Sequence, residues 1–135
     1  MQVRLARKRG FCFGVEEAIE LAQHTLRSHE PGKVVALGPV IHNPQVVEDL
    51  ERAGLNQSAN LEELPPGTTV LIRSHGAGPE TYARAAEKEL SIVDATCVLV
   101  KRAQTVVKQL HEAEVDLAVE SALAHASRVL PLVTT

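Results

Sequence analysis

Short apolar runs alternate along this chain with longer stretches in which apolar residues recur at helical spacing. The runs typical of buried strands are residues 2–6, 33–37, 68–73 and 91–93. The helical stretches begin near residues 15, 44, 79 and 97. Strands that alternate with helices predict βαβ units, and therefore an α/β fold with a mostly parallel sheet and flanking helices. The pattern leaves the strand order open.

Local signals place several of the predicted boundaries. Pro31-Gly32 should end the first helix, and Asn43 is a good N-cap for a short helix with Pro44 in its first position. Residues 56–67 are polar and contain Pro65-Pro66-Gly67, which predicts a loop.

The last part of the chain has a different pattern. Residues 117–119 would suit a strand, but the rest lacks a loop glycine and ends in an apolar stretch around Pro131. We therefore predict an α/β domain over residues 1–112 and a divergent or truncated tail over residues 113–135.

Composition narrows the classes of function. Hydrophobic residues make up 44% of the 135-residue chain and aromatic residues only 2%, so the core must consist of Val, Leu, Ala and Ile. Few aromatic residues, a net charge of −3 and no basic run argue against a nucleic-acid-binding protein. No apolar stretch approaches the length of a membrane span or a signal peptide, which predicts a cytoplasmic protein without membrane contact.

Cysteine and histidine occupy the predicted junctions between strands and helices. Cys12 and Cys97 are the only cysteines, and His42 and His75 lie in two further junctions. Junctions of this kind share one edge of a parallel sheet, where open α/β folds bind their ligands. We therefore expect one assembled site. Because a reducing compartment disfavours disulfides, its cysteines would be thiols, metal ligands or redox groups.

These residue types suit metal and phosphate chemistry. A thiolate at a helix N-terminus is stabilised by unpaired N–H groups, and Gly10 and Gly14 would let the backbone approach a bulky group such as an iron–sulfur cluster. Histidines on such loops would donate hydrogen bonds to a phosphate or bind a metal. The simpler alternatives are buried unreactive cysteines and surface or capping histidines.

Four motifs together resemble one known family. They are Arg9-Gly10-Phe11-Cys12-Phe13-Gly14-Val15, Val40-Ile41-His42-Asn43, Ser74-His75-Gly76 and Asp94-Ala95-Thr96-Cys97. In this order and at this spacing they are similar to motifs of 4-hydroxy-3-methylbut-2-enyl diphosphate reductase, over residues 1 to about 112.

The resemblance implies an iron–sulfur oxidoreductase of three similar α/β domains, in which three cysteines hold a [4Fe-4S] cluster. Such enzymes remove the hydroxyl of their substrate as water and yield isopentenyl and dimethylallyl diphosphate. An external donor such as ferredoxin or flavodoxin would supply the electrons. By position, Cys12 and Cys97 resemble two of the cluster ligands, and His42 and His75 resemble histidines of the diphosphate pocket.

The chain also departs from the family pattern. The third cysteine is absent, and Ala124-His125-Ala126 stands where the family has a His-Pro-Glu element that delivers protons. We assign no role to His125 or to the nearby Glu120, and we predict that this chain is inactive alone. Two alternatives remain: a non-catalytic metal module with zinc on the four Cys and His residues, and a ligand- or partner-binding α/β domain with free thiols. The wide spacing of the four residues is unlike that of structural zinc sites.

Overall fold

The computed structural model describes residues 3–7 and 9–112. In chain order its helices and strands are α1 (Phe13–Ser28), β1 (Val34–Leu37), α2 (Pro44–Arg52), β2 (Asn56–Ser58), a short 3-10 helix (Leu61–Glu63), β3 (Thr69–Ile72), α3 (Pro79–Glu87), β4 (Ser91–Asp94) and α4 (Val98–Glu112). The chain divides into two units, Met1–Lys101 and Arg102–Thr135. The first unit holds the sheet, and the described part of the second is the remainder of α4.

The four strands form one parallel sheet in the order β2-β1-β3-β4. Val35 on β1 pairs with Val70 on β3, and Val70 pairs in turn with Ile92 on β4. Because all strands run the same way, the loops that follow β1, β3 and β4 leave from one edge. The predicted α/β fold with a parallel sheet and flanking helices is therefore confirmed.

Each face of the sheet carries its own apolar cluster, because successive strand side chains point to opposite faces. On one face Ala36 and Leu71 pack with Ala18 and Ala22 of α1. On the other face the buried residues are Val35, Leu61, Leu64, Val70, Ile72, Ala85 and Leu90. Small residues on α1 bring this helix close to the sheet, which places its N-terminus near the loops described below.

The strand predicted over residues 2–6 is wrong for the described residues 3–6, which form no strand. Val3 and Leu5 are 72% and 73% exposed. Their alternation with charged residues suits a strand, but a strand also needs a neighbour that completes its backbone hydrogen bonds. The four-stranded sheet in the described residues does not include this segment.

The loop predicted over residues 56–67 contains a strand that the pattern did not reveal. β2 consists of Asn56, Gln57 and Ser58, which lie at the sheet edge and bury little side-chain surface. Its pairing with β1 depends on backbone groups, so a polar sequence carries no signal for it.

The predicted tail, including the possible strand at 117–119, lies outside the described residues, so the boundary at residue 112 stays a prediction. Among the helices of the described residues, none has the length and apolar character needed to cross a membrane.

Candidate metal and anion site at the carboxyl edge of the sheet

Backbone hydrogen bonds connect the three loops that follow β1, β3 and β4. Ser74 N–H donates to the Val40 carbonyl (3.1 Å), and Cys97 N–H donates to the Ser74 carbonyl (2.8 Å). Ala95 N–H donates to the Ile72 carbonyl at 3.1 Å. The loops that carry His42, His75 and Cys97 are therefore held in one arrangement.

The structure brings the two predicted histidines together. The rings of His42 and His75 stack with their centroids 4.8 Å apart and their planes inclined by 15°. His42 immediately precedes Asn43, whose side chain caps α2 by accepting a hydrogen bond from Val46 N–H (3.2 Å). Both histidines are exposed, so their ring nitrogens are accessible to a ligand.

Arg73 is a cation of this site that the sequence pattern did not reveal. It follows β3 directly and is half-buried, and its Nη1 lies 3.5 Å from the place that a Cβ on Gly38 would occupy. Within the described residues no ion pair joins Arg73 to a carboxylate. The available signal in the sequence was a cation directly after the apolar run 70–72 and two positions before a loop histidine.

The surroundings of His75 favour its neutral form. Partial burial is the main cause that lowers its pKa below 6.5, and the positive charges of Arg73 and His42 act in the same direction. An anion bound between these groups would oppose both charge effects. The cluster therefore has the electrostatic character of an anion site.

Cys12 begins α1. It is the N-cap residue, with extended backbone angles (φ −72°, ψ 158°), and its carbonyl accepts hydrogen bonds from Val15 and Glu16 N–H. Its side chain makes no capping hydrogen bond and is exposed. A thiolate here would benefit from the unpaired N–H groups of the first helical turn.

The turn between β4 and α4 holds Cys97. Asp94 Oδ1 accepts hydrogen bonds from Thr96 N–H (3.0 Å) and from the Thr96 hydroxyl, and Lys101 Nζ lies 2.9 Å from Asp94 Oδ2. Burial raises the pKa of Asp94, but the hydrogen bonds from Thr96 and Lys101 outweigh burial and hold the pKa below its usual value. An ionised Asp94 therefore braces the turn that carries the thiol.

Cys97 reaches the first turn of α1. A Cβ added to Gly14 would overlap Cys97 Sγ and would lie 3.0 Å from Cys97 Cβ. The sulfur of Cys97 thus lies against the turn that Cys12 begins. Gly10 has no comparable contact, since the nearest atom to its added Cβ would be Glu16 Oε1 at 3.8 Å.

The four predicted residues therefore fall into two groups. Cys12 caps α1 and Cys97 Sγ lies against Gly14 in the first turn of that helix, while His42 and His75 stack on each other. Ser74 connects them, because its carbonyl binds Cys97 N–H and its neighbour is His75. Only three of the four junctions follow a strand, since residues 3–6 before Cys12 form none.

The donor set fits an iron–sulfur cluster in part. Both cysteines are free thiols, and the Gly14 surface leaves room for one of them beside the helix start. In the described part of the chain, no group of three or more Cys, His, Asp or Glu residues is placed to hold a metal ion. A cluster with three cysteine ligands would therefore need one thiol from elsewhere.

Comparison with known proteins identifies relatives of this chain. Residues 3–127 match the family model described as LytB protein. The chain is 44% identical over 119 residues to a 4-hydroxy-3-methylbut-2-enyl diphosphate reductase of Geobacter metallireducens, which covers 88% of this chain and 41% of the relative. It is 37% identical over 125 residues to the reductase of Clostridioides difficile, covering 93% and 44% respectively.

Solved structures give the same result. One is the structure of (E)-4-hydroxy-3-methyl-but-2-enyl diphosphate reductase, the terminal enzyme of the non-mevalonate pathway, with 44% identity and a TM-score of 0.68 over 78% of this chain and 37% of that one. Another is the reductase from Plasmodium falciparum, with 32% identity and a TM-score of 0.75 over 79% of this chain and 33% of that one. The chain therefore spans less than half the length of these relatives.

Proposed function

The chain belongs to the LytB protein family, and on that premise we propose that it supplies part of a 4-hydroxy-3-methylbut-2-enyl diphosphate reductase. The reaction would replace the substrate's hydroxyl by hydrogen, consuming two electrons and two protons and releasing water. Its products would be isopentenyl and dimethylallyl diphosphate. The observation that carries the proposal is that Cys97 Sγ lies against the first turn of the helix capped by Cys12, while the stacked His42 and His75 lie on loops at the same sheet edge.

Cys12 and Cys97 would be two of three cysteine ligands of a [4Fe-4S] cluster. When bound, the cluster would pass the two electrons, taken from a donor such as ferredoxin or flavodoxin, to the substrate. The chain's own part is to present thiolates: Cys12 at the unpaired N–H groups of α1, and Cys97 on the turn braced by Asp94.

His42, His75 and Arg73 would hold the diphosphate. Arg73 brings a permanent positive charge, and the stacked imidazoles bring N–H donors. α2 begins beside His42, so its N-terminal N–H groups add to the attraction for an anion. Local groups of this kind suit a chain whose net charge is −3.

The chain alone would lack turnover. The described residues contain two thiols, and the relatives are more than twice as long as the matched region. The third thiol and the proton donor would come from another part of the protein or from a second chain.

Anaerobic reconstitution with iron and sulfide tests the cluster assignment. We expect a coloured protein that contains both elements, with an outside thiol or a second chain completing the ligand set, and we expect Cys12→Ser/Cys97→Ser to contain neither. Unchanged cluster absorption in that double variant would refute the assignment. Zinc without sulfide in the purified chain would favour a metal-binding module instead.

Binding of inorganic diphosphate tests the anion site separately. His42→Gln, His75→Gln and Arg73→Gln should each weaken binding by about tenfold, the loss of one charge-assisted hydrogen bond. His24→Gln, an exposed position of α1 three turns from Cys12, is the matched control and should bind normally. Loss of the cluster in the His42 or His75 variant would point to metal ligation by these residues.

A further inference from the structure

Gly14 occupies a position where the backbone does not require glycine. It lies in the first turn of α1, and its φ angle is not positive, unlike that of Gly10 or Gly38. Glycine weakens a helix relative to alanine, so its presence here calls for another reason.

That reason is the approach of Cys97. An added Cβ would overlap Cys97 Sγ, and would also lie 3.0 Å from Cys97 Cβ and 3.8 Å from Cys97 Cα. Two of these three atoms are closer than ordinary van der Waals contact allows.

Neither side of the contact is free to withdraw. The backbone of Cys97 is bonded at both ends, its N–H to the Ser74 carbonyl (2.8 Å) and its carbonyl to Lys101 N–H (3.0 Å). Gly14 is buried at the start of a helix whose Ala18 and Ala22 are packed into the core beside β1 and β3. A side chain at residue 14 would therefore displace the thiol rather than the backbones.

We propose that Gly14 is a positioning residue that sets the place of the Cys97 thiol beside Cys12. Its bare Cα lets the sulfur of Cys97 rest on the turn that Cys12 begins, and so makes one dithiol site from two cysteines on distant segments. The contact itself is independent of any cofactor, while its meaning for iron binding rests on the proposed function.

A trivalent arsenical measures the dithiol directly in the metal-free chain. Phenylarsine oxide forms one arsenic–sulfur bond to each of two nearby thiols and releases water, without change of oxidation state. We expect the wild-type chain to bind it and Cys12→Ser or Cys97→Ser to lose that binding. Gly14→Ala should still show two reactive thiols when they are counted with a reagent that alkylates one thiol at a time. Its affinity for the arsenical should nevertheless fall by at least about tenfold.

Phe13→Ala is the matched control, since it alters the adjacent exposed position of the same helical turn. It should leave arsenical binding within about twofold of wild type. Unchanged arsenical affinity in Gly14→Ala would overturn the proposal.

Thermal unfolding provides a second readout. Gly14→Ala should lower the melting temperature despite the better helix propensity of alanine. In a Cys97→Ala background, Gly14→Ala should lower the melting temperature by less than half as much, because the overlapping sulfur is gone. An equal cost in both backgrounds would contradict a contact with this thiol.

If Gly14→Ala alone fails to fold, the double variant Gly14→Ala/Cys97→Ala tests whether the contact with Cys97 is the cause. Its folding would support the proposal, and its failure to fold would refute it. Iron and sulfide analysis separates this inference from the proposed function: a chain that binds the arsenical through both thiols but takes up no iron would retain the Gly14 role and refute the cluster.

Discussion

At the scale of single residues, the chemistry at the carboxyl edge of the sheet depends on what each side chain contacts. His75 is an ordinary loop histidine in the sequence, but in the fold it stacks on His42 and lies near the positive charge of Arg73. Cys97 is likewise one of two cysteines in a chain, but the bare Cα of Gly14 determines where its sulfur lies. The sequence was enough to identify Cys97 and His75 as candidate site residues. It was not enough to predict which side chains they contact.

The lowered pKa of His75 predicts how stability depends on pH. Its folded pKa lies below 6.5, so below that pH the unfolded chain binds the proton more readily than the folded chain. His75 therefore contributes stability at higher pH that is lost as the pH falls through 6.5 toward the folded pKa. One proton accounts for at most about 1.4 kcal/mol per pH unit.

Denaturant unfolding at a series of pH values measures this contribution. His75→Gln should show a shallower loss of stability on acidification than wild type, because it removes the group that binds a proton more readily in the unfolded chain. The same pH profile in His75→Gln and wild type would contradict the assigned environment of His75.

At the scale of helices and strands, local signals were accurate wherever the stabilising contact was itself local. Asn43 caps α2 with Pro44 in the first turn, as the sequence predicted, because an N-cap involves residues only three positions apart. β2 was missed because its Asn, Gln and Ser side chains carry no apolar period. The segment around Val3 and Leu5 has the period of a strand but no partner among the described residues.

The cap of α2 predicts a joint effect on stability and on the site. Asn43→Ala removes the acceptor for Val46 N–H and should lower the free energy of unfolding by about 1 kcal/mol. Because His42 is the preceding residue, binding of inorganic diphosphate should also weaken.

Asn60→Ala is the corresponding control, since Asn60 caps the 3-10 helix by accepting a hydrogen bond from Glu62 N–H. It should leave diphosphate binding unchanged, and calorimetry on both variants separates the two effects. Normal diphosphate binding in a destabilised Asn43→Ala chain would show that the cap does not position His42.

At the scale of the whole molecule, stability depends on the clusters on the two faces of the sheet. Leu71 lies on the interior strand β3 and is fully buried, whereas Leu99 at the start of α4 is 55% exposed. Replacing leucine by alanine at both positions therefore shows how much of the loss in unfolding free energy is due to burial, since the side chain removed is the same.

Leu71→Ala should reduce the free energy of unfolding by about 2–5 kcal/mol, through lost burial and the cavity that remains. Leu99→Ala should cost less than about 0.5 kcal/mol. Equilibrium denaturation of both variants tests this contrast, and similar losses at the two positions would place Leu71 outside the core.

The sequence by itself determined the α/β class, the helix starts near Cys12, Asn43, Pro79 and Cys97, and the residue types available for metal and anion chemistry. These properties follow from hydrophobic period, caps and composition, which involve neighbours a few positions apart. Only the tertiary structure decided the order β2-β1-β3-β4, the stacking of His42 on His75, the presence of Arg73 beside them and the contact of Cys97 with Gly14. The physical reason is that these contacts join segments far apart in the chain, and they form only when both faces of the sheet are packed and the loops at its carboxyl edge are hydrogen-bonded to one another.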